Sequence, residues 1–246
     1  MNTSRSAADA IRLHLARVSE LRERAQQQGL AQAVHAIKRL QAQRFRGTYA
    51  DFLARPQFAP ATRFFLEELY GEHDFSERDR QFGRIAGALE RMFPAAVSSL
   101  AVDLAETHAL TEVLDHELAA HWMTQAEHTP AAVRYVNSWR RTGAHEDRLR
   151  QLTVVQHMGS ELQRLTRNAS LRLGLKMMRR PAHLAGLSAL QGFLESGFDS
   201  FAAMRNPDEF MQAIHTRERH WIDAFFEADV SVVAEELQIE TQRGLA

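Results

Sequence analysis

At 246 residues, 45% of them hydrophobic and 25% charged, the chain is long enough to bury a sizeable core as one large globular domain or two small ones. It has no cysteine, which excludes disulfides, thiolate metal sites and cysteine nucleophiles, and its net charge of -1 argues against a surface given over to nucleic acid. No apolar run approaches the roughly 20 residues of a spanning helix, and the N-terminus lacks the apolar stretch of a secretory signal, so the expected location is the cytoplasm, with no membrane partner.

Apolar residues recur at helical spacing almost throughout, and no stretch alternates strictly between turn residues. The expected fold is therefore all-α, a multi-helix globular bundle of about ten or more helices with negligible strand. Residues 1–246 are expected to form one domain, with a possible subdivision near 143. Gly29 and Gly47 read as the ends of the first two helices, Thr48 as the cap of a short one, and Pro60 as the start of the next. Gly71 ends that helix, and Asp74 or Ser76 caps a helix running to about Phe93. Pro94 restarts the chain, a break is expected near His108 to Thr111, and Thr129-Pro130 and Gly143 bracket a helix with Val133, Val136 and Trp139. A longer helix follows from about Glu146, with a possible break near Asn168. Pro181 opens a helix to Met204, and Asn206-Pro207 is the last clear restart.

Charge is segregated along this frame. Residues 1–46 carry nine Arg or Lys against three acids, Met92 to Glu127 carry six acids and no Arg or Lys, and Glu161 to His183 carry six bases against one acid. Arg172, Lys176, Arg179 and Arg180 fall along one helical side, a candidate surface for an anion or a partner. LQGFLESGFDSFAAM places Leu187, Leu190, Leu194, Phe198 and Phe201 on one broad face, which serves either the core or a homodimer contact.

In RFFLEELYG, a wheel of 100° per residue puts Glu68 between Phe64 and Phe65, where a lone carboxylate is costly unless it is protonated or paired, an arginine from another helix being one such partner. The same test puts Glu117 and His121 amid Leu110, Val113, Leu114 and Leu118, and Arg217 amid Phe210, Ala213, Ile214 and Trp221. Glu68, Glu117, His121 and Arg217 are thus the candidate buried polar cluster, either fixing helix register or lining a ligand pocket in which His121 titrates.

Motifs of established chemistry are scarce. The phosphate-loop, dinucleotide and nucleophile-elbow patterns are absent. Ala25-Gln-Gln-Gln-Gly29 has helix-turn-helix spacing, but the later apolar positions fall on His35 and Lys38, so nucleic acid is not an expected partner. In ETHALTEVLDHELAAH, the pairs His108 and Glu112, Glu112 and His116, and Glu117 and His121 are four apart, a weak metal pattern. LAETHAL resembles the segment around the iron-binding histidine of globins, which implies haem as a minor alternative.

FFLEELYG, followed by HDFSERD and Met92-Phe93-Pro94, resembles a family of uncharacterised all-helical bacterial proteins with a Phe-Phe-Leu-x-x-Leu-Tyr-Gly core motif. The likeness is clearest over Leu40 to Leu118 and weaker over RRPAHLAGLSALQGFLESGF. It implies the fold and transfers no catalytic residue. The expected role is a non-catalytic protein that binds a protein partner or itself. The alternative is a small-molecule or cofactor binder, metal or haem included, built on the polar cluster.

Overall fold

The computed structural model describes residues 6–69 and 75–245, and over these residues the chain is helical with no strand. The predicted end at Gly71 and the cap at Asp74 lie outside the described residues, as does Tyr70.

Helix α1 (Ala7–Gln27) starts where Ser6 Oγ accepts from the Asp9 amide at 3.2 Å, and it buries Ala8, Ile11, Leu15, Val18, Leu21 and Ala25 at steps of three and four. It stops at Gly29, whose φ of +69° only glycine adopts cheaply, and the Leu30 amide returns to the Ala25 carbonyl at 2.8 Å. Helix α2 (Ala31–Thr48) ends one residue past Gly47, close to the predicted stop. Short α3 (Ala50–Leu53) leads to α4 (Ala59–Phe64), with Pro60 in its first turn as expected. The chain then widens into a π-helical turn over Phe65–Leu69.

Helix α5 (Ser76–Met92) is followed by α6 (Ala95–Met123), a continuous helix of 29 residues without the break expected near His108. Helix α7 (Ala131–Thr142) fits its predicted brackets, and α8 (His145–Thr166) ends where Asn168 caps α9 (Ala169–Met177). Pro181 lies inside α10 (Arg179–Leu184), and Gly186 at φ +67° separates it from α11 (Ser188–Ala202), where one helix was expected. Asn206 caps α12 (Pro207–Glu227), and Asp229 caps a further helix, α13 (Val230–Arg243), that sequence analysis did not separate.

Helix α6 packs against α1, α2, α5, α7 and α8, which places it at the centre. Three apolar clusters surround it. One joins α2, α7, α12 and α13 through Tyr135, Trp139, Trp221 and Phe225. A second gathers Phe45, Phe52, Phe58 and Phe210, the last two essentially inaccessible. Each such ring contributes about 2–3 kcal/mol of burial. The third joins α1, α5, α6 and α11. It uses Leu190 and Phe193, while Phe201 belongs to the second cluster and Phe198 is also buried, so the α11 face expected for a homodimer is largely spent inside the monomer.

Candidate functional site

Besides Leu114, Leu118 and Trp122, helix α6 buries a row of small and charged residues. Ala101, Ala105, Ala109, Glu112, Asp115 and Ala119 are all buried, spaced by threes and fours. The alanines let α1 and α2 come close, and Glu112 meets basic side chains from those helices. Lys38 Nζ donates to Glu112 Oε1 at 2.6 Å, and Arg22 reaches the same oxygen at 3.5 Å. Arg22 also donates to Asp79 Oδ2 of α5 at 3.0 Å and to Ser76 Oγ at 3.2 Å, and His108 Nε2 lies 3.1 Å from Asp79 Oδ2. Four helices are tied together by this one network.

Burial pushes the Asp79 carboxyl up, but the hydrogen bond and charge of His108, together with Arg22 and Arg78, outweigh it and hold the group below the usual carboxylate range. Burial likewise opposes ionisation of Glu112, and Lys38, His108 and Arg22 overcome it. Both groups therefore stabilise the fold fully above their unfolded values, and that stability is lost as pH falls through their lowered folded values. Asp115 has the opposite sign: burial raises its carboxyl, so its contribution is present at acid pH and is lost as pH rises through the raised value. Asp79→Asn with Glu112→Gln is expected to flatten the loss of stability below about pH 5. Asp115→Asn should leave that acid limb in place. Urea midpoints measured from pH 3 to 8 check this, and an unchanged acid limb in the double variant would contradict the network.

Further along α6 the polar seam continues. Asp115, fully buried, accepts from Gln41 Nε2 at 3.0 Å, and Gln41 also reaches the Tyr135 hydroxyl at 3.3 Å. Burial pushes Tyr135 up to about 12. Arg44 of α2 donates through Nη1 to both oxygens of Glu218 at 2.7 and 2.8 Å, and Tyr49 adds a hydroxyl at 2.8 Å. Arg148 of α8 lies over the Trp139 ring at 3.9 Å and donates to Gln151 at 3.3 Å.

The predicted polar cluster does not assemble. Glu68 sits on the π turn and faces Arg78, which donates to its carboxylate at 3.5 Å and to its backbone carbonyl at 2.7 Å. Its side chain is 34% exposed, so the arginine partner is present but the deep burial is not. Glu117 is exposed and His121 half-buried on α6. Arg217 holds Asp51 with both terminal nitrogens at 2.7 and 2.8 Å and the Thr48 carbonyl at 2.7 Å, and makes no hydrogen bond or ion pair with the other three.

The metal pattern also dissolves: Glu112 is held by Lys38 and His108 by Asp79, and among the described residues no group of three His, Asp or Glu could hold an ion. Beside His108 lies a cavity of about 50 Å³.

The predicted basic surface is present on α9 and α10, where it forms an exposed arm. No residue of α9 is buried. Arg172 pairs with Asp199 at 3.1 Å and Arg179 holds Glu195 at 2.7 and 2.8 Å, both anchoring the arm on α11. Lys176 and Arg180 make no ion pair among the described residues. Beside them Leu173, Met177 and Leu184 are 60%, 69% and 86% exposed. From 162 to 194 the chain carries no acid at all.

A family described as Domain of unknown function (DUF8198) matches residues 20–232, which takes in every element from within α1 to the start of α13. No curated protein and no solved structure matches the chain. No described helix is long and apolar enough to cross a membrane.

Proposed function

We propose a partner-binding role for this chain, which belongs to the family described as Domain of unknown function (DUF8198): the α9–α10 arm docks on an acidic surface of another protein. The observation that carries this reading is the coincidence of exposed Leu173, Met177 and Leu184 with Lys176 and Arg180, in a stretch without acids. An isolated exposed leucine needs no explanation, but several on one arm that buries nothing of α9 form a patch of the kind that marks interaction sites. The charge sets the partner. Apolar side chains supply affinity at the centre, while Lys176 and Arg180 steer an acidic surface towards them and repel a basic one.

A second copy docking through the same arm would bring two basic surfaces face to face, which the isologous geometry of a two-fold dimer disfavours. The seam beneath α6 supports a structural role, because its histidine, carboxylates and cations largely satisfy one another.

A photo-reactive residue in place of Leu184 is expected to cross-link one acidic protein in the native cell. The purified pair should lose about tenfold or more in affinity in Lys176→Glu/Arg180→Glu, and weaken as salt rises. Unchanged affinity in that variant, cross-linking only to this chain itself, or binding only to anionic vesicles would each overturn the reading.

A further inference from the structure

Between α2, α6, α7, α8 and α12 lies a cavity of about 80 Å³, room for more than one water-sized group. Three of the residues that line it each have a buried donor atom without a hydrogen-bond partner: Arg148 at Nη2, Trp139 at Nε1 and Thr107 at its hydroxyl. Arg148 and Trp139 are each more than nine-tenths buried. Unpartnered polar atoms are rare in protein interiors, and three that share one cavity and all can donate call for one acceptor.

Charge narrows the acceptor further. Arg44, on the same wall, is neutralised by Glu218, which Tyr49 also holds. Arg148 has no such partner: its bonds are to the neutral Gln151 and its face rests on Trp139. Asp115, whose Oδ2 also lacks a hydrogen-bond partner, forms no hydrogen bond or ion pair with it, and burial draws that carboxyl towards its neutral form. A water molecule in the cavity satisfies the three donors but leaves the guanidinium uncompensated, and a buried unpaired cation costs several kcal/mol. An anion does both.

We propose that this cavity is a binding site for a small oxyanion, of the carboxylate or phosphate class, held by the guanidinium of Arg148, the Trp139 indole N–H and the Thr107 hydroxyl. Guanidinium offers two parallel donors that match such oxygens. The cavity's size limits the ligand to a few heavy atoms, or to the terminal group of a longer molecule. This site is independent of the α9–α10 arm, which lies elsewhere on the surface and plays no part in it.

The test is thermal unfolding of the full chain with sodium formate, acetate, bicarbonate, phosphate or sulfate against chloride at equal ionic strength. At least one oxyanion is expected to raise the midpoint by several degrees in a saturable way, whereas chloride does not. Arg148→Met keeps apolar volume against Trp139 and removes the charge. It should fold without added anion and lose the oxyanion-specific shift. Thr107→Val, which keeps the side-chain shape, should weaken the apparent affinity several-fold, and it decides the matter should the arginine variant not fold. No oxyanion-specific shift in the parent, or an equal shift in Arg148→Met, would show an adventitious ion only. Either result overturns the site, as does an unaltered affinity in Thr107→Val.

Discussion

Replacing Glu218 with alanine is expected to lower the unfolding free energy by about 3–5 kcal/mol, a large share of the stability of a domain of ordinary size. Arg44 is 7% exposed, and both of its short contacts to a carboxylate are to Glu218. Removing that carboxylate leaves a desolvated guanidinium over the Phe45 ring, 3.7 Å from its centroid, with no anion to balance it, and strips the Tyr49 hydroxyl of an acceptor. The loss belongs to the orphaned partner more than to the bond, so a double variant that removes both charges is informative. Arg44→Met with Glu218→Leu should recover much of the stability lost in Glu218→Ala, since an apolar pair of similar volume is often as stable as a buried ion pair. Urea unfolding of the three proteins is the measurement. A single variant within 1 kcal/mol of the parent would mean that water reaches Arg44.

The all-helical fold and most of its stops were legible because they rest on local chemistry. Asn168 and Asn206 cap through their own side chains, and Gly29 and Gly143 adopt positive φ, which are properties of a few residues at a time. What escaped depends on the whole molecule. The wheel drawn through Glu68 assumed 100° per residue, but the chain turns π-helical from Phe65, which adds a residue to the turn and swings Glu68 partly into solvent. Arg78 of α5 is the partner that Glu68 finds.

Helix α6 misled for another reason. Apolar residues surround it, so large side chains alone do not point to its buried face, and Glu117 and His121 were placed inside while Glu112 and Asp115 are the buried acids. The usable signal was the run of alanines at 101, 105, 109 and 119, which marks close helix approach, with Glu112 and Asp115 in the same register. That signal names the seam, but the partners of those acids, Lys38, Arg22 and Gln41, come from α1 and α2 and are fixed only by how the helices cross.

Gly47 shows the same contrast between a local and a global reason for one residue. Read as a helix stop, it tolerates little because of its backbone; in the folded chain it lies in the last turn of α2, pressed against α13. A Cβ at Gly47 would meet the Glu240 carbonyl oxygen at 1.9 Å, and one at Gly244 would meet the Gln43 carbonyl oxygen at 2.0 Å. Both obstacles are backbone, so relief requires α2 and α13 to separate, and with them the apolar cluster that holds Ile37, Leu40, Val233 and Leu237. Gly47→Ala is therefore expected to destabilise by about 2–3 kcal/mol, more than offsetting the gain of up to about 1 kcal/mol that alanine brings to a helix interior. Gly174, in the exposed arm helix α9, is the control, because a Cβ there meets nothing within 4 Å. Gly174→Ala should stabilise by about 0.5–1 kcal/mol, since only the propensity term operates. The two substitutions are chemically identical and opposite in sign. Urea midpoints for both decide the matter, and a gain of stability in Gly47→Ala would mean that α2 and α13 do not meet backbone to backbone.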